Sequence, residues 1–159
     1  MRDFTTKDLV KLGISRERLR DWINRGYINP SQRAYGQGFS NVFSELDLYF
    51  LLVFQKMVES GISRDDAKER LNDFIGSAFL SDKGGYSDPD KPFFVFFRNP
   101  IPPSKVNIKK RLTTGYLKVA WFFMDADALK EFAEKHEDVI DDMVVINFRK
   151  IRKKVENLS

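Results

Sequence analysis

The sequence predicts a mainly α N-terminal winged helix-turn-helix over residues 1–80, a linker at 81–92, and a small α+β domain over 93–159. Three observations lead there. Two short helix patterns, FTTKDLVKLG and ISRERLRDWINRGYI, meet at a glycine and are followed by a Gly-containing polar excursion, NPSQRAYGQGFSNVF. Gly, Pro, Asp and Ser then cluster in SDKGGYSDPDKP, the composition of a boundary. Beyond it the style changes to FFVFFR, continuously apolar and aromatic, as in a central strand.

The first helix is expected over Thr6 to Leu12, with Leu9, Val10 and Leu12 as its buried side, and Gly13 breaks it. So short a helix is held by packing rather than by its own helicity. Ser15 caps the second helix by accepting an orphan N–H, and Leu19, Trp22 and Ile23 recur behind it at helical spacing. Gly26 suits the end of that helix, and Asn29-Pro30 turns the chain. Gly36 and Gly38 then permit a reversal between two short strands, one containing Arg33 to Tyr35 and the other Phe39 to Phe43, which together read as a wing. Ser44 and Asp47 form a capping box for a third helix whose face carries Leu46, Tyr49, Phe50, Val53, Phe54 and Met57. Gly61 ends it and Ser63 starts a fourth helix.

In the second half, strands are expected at Phe93–Arg98, Val106–Arg111, Gly115–Met124 and Met143–Ile146. Asp125 to Ala128 opens a helix with an acidic first turn, which the helix dipole favours. Asn147 caps a last helix with Phe148, Ile151, Val155 and Leu158 inward.

Composition narrows the chemistry. The chain has no Cys, so disulfides, thiol catalysis and thiolate zinc sites are excluded. His136 is the only histidine. Lys83-Gly84-Gly85 lacks the strand–loop–helix context of a phosphate loop. No catalysed reaction, cofactor or metal is therefore expected. With no apolar run near the length of a membrane span and no apolar stretch of a cleavable signal at MRDFTTKDL, a cytoplasmic, nucleoid-associated protein is expected.

The formal net charge is +4, and residues 1–43 carry eight Lys or Arg against four Asp or Glu. That bias favours a polyanionic partner. Arg16, Arg18 and Arg20, with Ser15 and Asn24, lie on the second helix, where they can reach a groove and its flanking phosphates. Thr6 joins them from the first helix, and the wing would present Arg33, Tyr35, Gln37, Ser40 and Asn41 to backbone or minor groove. The basic runs Lys109–Arg111 and Arg149–Lys154 either extend this footprint or are solvated faces.

These residues together resemble the MerR (mercury-resistance-regulator-type) transcriptional regulators. The resemblance rests on FTTKDLVKLGISRERLRDWINRGYINPSQR, the Gly-containing wing ending in Phe43-Ser44-Glu45-Leu46-Asp47, and SGISRDDAKERL. It implies double-stranded DNA as partner, with Ser15, Arg16, Arg18, Leu19 and Arg20 on the recognition helix. It also implies that Trp22 is a buried aromatic, and that Pro30 and Arg33 stand at the entrance to the wing. Two features depart from the family pattern. Gly38-Phe39-Ser40-Asn41-Val42-Phe43 replaces the usual Gly-Tyr-Arg-x-Tyr, and Gly84, Gly85, Pro89 and Pro92 interrupt the chain where a long dimerisation helix would follow. The expected protein is a sequence-specific transcriptional regulator, homodimeric through its C-terminal region, with a small-molecule or protein effector possible. An accessory DNA-binding protein of excisionase, partition or packaging type, or a winged helix that docks a protein, are the alternatives.

Overall fold

A computed structural model describes residues 3–36, 40–77, 88–97, 121–135 and 143–158. Its N-terminal region is helical. Strand β1 (Phe4–Thr5) leads into α1 (Thr6–Lys11), then α2 (Arg16–Asn24), β2 (Val42–Phe43), α3 (Glu45–Glu59) and α4 (Arg64–Ser77). The C-terminal region is mixed α+β: β3 (Phe93–Phe97), β4 (Trp121–Met124), α5 (Ala126–Lys135), β5 (Met143–Asn147) and α6 (Phe148–Glu156). The expected strand at Val106–Arg111 and the segment 115–120 lie outside the described residues, as do Ala78 to Leu80, His136, Lys83 to Gly85 and Lys109 to Arg111.

Local chemistry explains the helix ends. The Asp8 carboxylate accepts hydrogen bonds from the Thr5 N–H and the Thr5 hydroxyl, both at 2.9 Å, which anchors the start of α1. At its other end the Ile14 N–H reaches back to the Leu9 carbonyl (3.3 Å) through Gly13, whose φ is +92°. Gly26 (φ +71°) serves α2 in the same way, with the Tyr27 N–H donating to the Trp22 carbonyl at 2.9 Å. Both are glycine-dependent helix ends that place the following residue back over the helix it leaves. A side chain at either position would adopt a left-handed backbone at a cost of roughly 1–2 kcal/mol.

The Thr5 N–H holds the Asp8 carboxyl below its ordinary pKa, with help from the Thr5 hydroxyl and Lys11 against a smaller opposing effect of burial. A depressed folded-state value means that stability from Asp8 is present above the unfolded value and lost as pH falls through the folded one. Asp8→Asn is therefore expected to flatten the stability–pH curve below about pH 4, a slope read from denaturant melts across pH 2–6 (both limits approximate).

Val10 was expected inside but is 38% exposed, whereas Leu9 and Leu12 are buried. With a helix of only six residues, one narrow stripe is all that can face the core. Helix α3 departs in the other direction. Tyr49, Val53, Phe54 and Met57 are buried as expected, but so are Leu48, Leu51 and Leu52. The helix is covered on more than one side because α4 packs against it and α6 supplies a second set of apolar neighbours.

That sheet is antiparallel with order β4-β3-β5. Phe93 pairs with Met124 on one side and with Asn147 on the other. Phe94 and Phe96 face the helices, and Phe94, Phe123 and Phe148 form an aromatic cluster with ring centroids 4.9–6.3 Å apart. The Phe148 ring also meets Tyr49 of α3 at 5.6 Å. The N–H groups of Phe148 and Arg149 donate to the Pro92 carbonyl (2.7 and 3.3 Å), tying the start of α6 to the start of β3. One hydrophobic cluster thus runs from Leu9 and Trp22 through α3 to Phe94, Ile146 and Val155.

Candidate nucleic-acid interface

Leu19, Trp22 and Ile23 are buried against the core and decide which way α2 faces. The Trp22 ring sits edge-on to Phe54 at 4.9 Å, and Tyr27 stacks on the same phenyl at 5.8 Å. At about 100° per residue, Arg16, Arg20 and Asn24 then fall within an arc of roughly 80°. All three are exposed. Neither Arg16 nor Arg20 has an ion-pair partner among the described residues.

Arg18 lies on the far flank, its guanidinium 5.8 Å from the Trp22 ring centroid. There it shields an indole whose buried N–H has no hydrogen-bond partner among the described residues. Ser15 is the N-cap, its hydroxyl accepting from the Arg18 N–H at 3.2 Å. Thr6 opens α1 and is half-buried.

Asp21 would repel a phosphate if it were unneutralised, but two cations hold it. Arg25 Nε donates to it at 2.7 Å and Arg64 Nη1 at 3.2 Å. The carboxylate raises the Arg25 pKa above its ordinary value, chiefly through that hydrogen bond. The Arg64 contact also fastens α4 to α2. Sequence reading did not find it, because the partners stand forty-three residues apart and neither carries a local signal.

The excursion after α2 is built differently from the expected pair of strands. Gln32 and Val42 pair across its base, with N–H to O distances of 3.1 and 2.9 Å. Val42 and Phe43 pair instead with Thr5 and Phe4. Strand β2 is therefore shared with the N-terminus, and no strand forms at Arg33 to Tyr35. Within the loop the Asn41 side-chain oxygen accepts from the Ala34 N–H (2.9 Å), and Arg33 Nη2 donates to Asn29 Oδ1 (3.1 Å). Asn41 is consequently half-buried and partly used in shaping the loop, whereas Arg33, Ser40 and Tyr35, at 81% exposure, face solvent. Gln37 lies outside the described residues.

Asp47 holds the loop to the helices. One of its oxygens accepts from the Ser44 N–H at 2.8 Å, and also from the N–H and hydroxyl of Ser31 at 3.2 and 2.5 Å. The capping role was legible in sequence; the grip on Ser31 was not. Asp47→Ala is expected to cost about 1–2 kcal/mol of stability in denaturant melts, the upper part of the range for a lost cap, because Ser31 is released as well.

Among the described residues no cluster of His, Asp or Glu is arranged to hold a metal, and no helix is long and apolar enough to cross a membrane. No curated protein matches the chain. The family match falls within the helical N-terminal region: residues 4–73 match the family model described as MerR HTH family regulatory protein.

Proposed function

We propose that this protein is a sequence-specific DNA-binding transcriptional regulator of MerR-like type. Helix α2 enters the major groove, and the loop 33–41 acts as a wing against adjacent backbone or minor groove. The observation that carries this reading is the outward face of α2. Arg16 and Arg20 stand exposed without a carboxylate partner among the described residues, beside Asn24, on a helix whose acidic Asp21 is already neutralised. Arginine and asparagine are the side chains best suited to read guanine and adenine edges. The match of residues 4–73 to helix-turn-helix regulators supports the same assignment.

Residues 1–80 form the DNA-binding unit in this reading. Residues 93–159 supply dimerisation and effector or partner binding. A homodimer would place two α2 helices on half-sites in register with the helical turn. The test is selection of the purified protein on a randomised duplex library at fixed salt, followed by sequencing. Enrichment of one motif with a two-fold or direct repeat is expected, its spacing reporting the dimer geometry. Weak, salt-labile retention without a motif would instead identify an accessory DNA-binding protein. No retention would turn the search towards a protein partner.

A further inference from the structure

A cleft of about 500 Å³ opens where α3, β5 and α6 meet beside the end of α1, and no residue of α2 lines it. Leu52 of α3, Val144 of β5 and Ile151 of α6 line its apolar part. Lys150 and Lys154 line it from α6, one turn apart and therefore on the same side of the helix. Neither ammonium has a carboxylate within ion-pair distance among the described residues.

The one acidic side chain in the lining is committed. Glu59 receives Lys56 Nζ at 2.7 Å and Gln55 Nε2 at 2.8 Å. A cation entering the cleft would find no free carboxylate, and an uncharged apolar molecule would leave the two ammonium groups unused. A volume in the range of small-molecule sites, an apolar lining and two adjacent unpaired cations specify a different occupant.

We infer that this cleft binds a small amphipathic carboxylate, its apolar body against Leu52, Val144 and Ile151 and its anionic head between Lys150 and Lys154. The site also touches Leu12, the residue that caps α1 and immediately precedes the turn leading to α2. The lining thus reaches the end of the helix that precedes the proposed reading helix. The binding itself needs no DNA, so its test is independent of the function proposed above.

Calorimetric titration of the full chain with decanoate is the experiment, with decylammonium, decan-1-ol and inorganic phosphate as comparators. Saturable one-to-one binding of decanoate is expected, clearly tighter than that of any comparator. Lys150→Gln with Lys154→Gln should weaken it about tenfold, as the loss of two partly exposed ion pairs implies. Lys153→Gln, on the same helix but outside the lining, should leave it unchanged. Gln55→Trp should abolish it by filling the cleft, with the melting curve verifying that the variant folds. The inference is overturned by comparable binding of decylammonium, the alcohol or phosphate. It is equally overturned by decanoate binding that survives the double lysine change or the filled cleft, or by no decanoate binding at all.

Discussion

Replacing Arg20 with Ala is expected to weaken binding to the selected duplex by about 1–3 kcal/mol, the worth of a bidentate contact to a base edge. The loss should fall on the cognate sequence and relax selection at one base position. A phosphate contact would behave otherwise, weakening all duplexes alike and reducing the slope of log affinity against log salt by about one. Gel-shift or fluorescence-anisotropy titrations of cognate and scrambled duplexes at several salt concentrations separate the two. A variant that binds both duplexes like the parent would remove α2 from the interface. Arg20 is the informative position because its side chain is exposed and is not used in the ion pairs around Asp21. Arg18 would be less clear, since its placement over Trp22 makes its removal a packing change as well.

The second large effect belongs to Phe148. Its ring is fully buried and touches Tyr49 of α3, Phe94 of β3 and Phe123 of β4. Arg152 adds its guanidinium 5.0 Å from the same ring centroid and donates through Nη2 to the Lys91 carbonyl at 3.3 Å. Burial lowers the Arg152 pKa, opposed in part by Tyr49 and nearby carboxylates. Phe148→Ala should therefore destabilise the fold by about 3–5 kcal/mol, because the cavity opens at a junction of helix and sheet where backbone cannot collapse to fill it. Since the cluster joins both regions, fluorescence of Trp22, read in a Trp121→Phe background, and far-ultraviolet circular dichroism should report one shifted transition in denaturant. Two separated transitions would mean that the helical region keeps its fold without the sheet.

The parts of the fold legible in the sequence share one property: their causes lie within a few residues. Ser15 and Ser44 cap the helices that follow them, and Asn147 caps α6, its side chain accepting from the Lys150 N–H at 3.2 Å. Asp125 does the same for α5, receiving the Ala128 N–H at 2.7 Å. Gly13 and Gly26 end helices because no other residue takes that backbone conformation so cheaply. The aromatic run at Phe93–Phe97 reads as a strand because it is too short and too apolar for an amphipathic helix. Of the candidate contacts, Arg16, Arg20 and Asn24 could be placed together from the helical period alone.

What escaped the sequence depends on partners brought from afar. The chain does not announce that Val42 will pair with both Gln32 and Thr5, because β-pairing is set by geometry across long separations. Nor does it announce that Asp47 will grip Ser31, or that Arg64 will meet Asp21.

By itself, then, the sequence determined the helix starts and stops, the switch from helical to mixed architecture, and the resemblance of its N-terminal region to helix-turn-helix regulators. The first two follow from backbone capping, side-chain period and local turn chemistry, all short-range. Only the tertiary structure decided that α3 is buried on several sides, that β3 lies between β4 and β5, and that α6 closes a lysine-lined cleft beside the end of α1. Burial is a property of surfaces that meet, and which surfaces meet is settled by the packing of the whole chain.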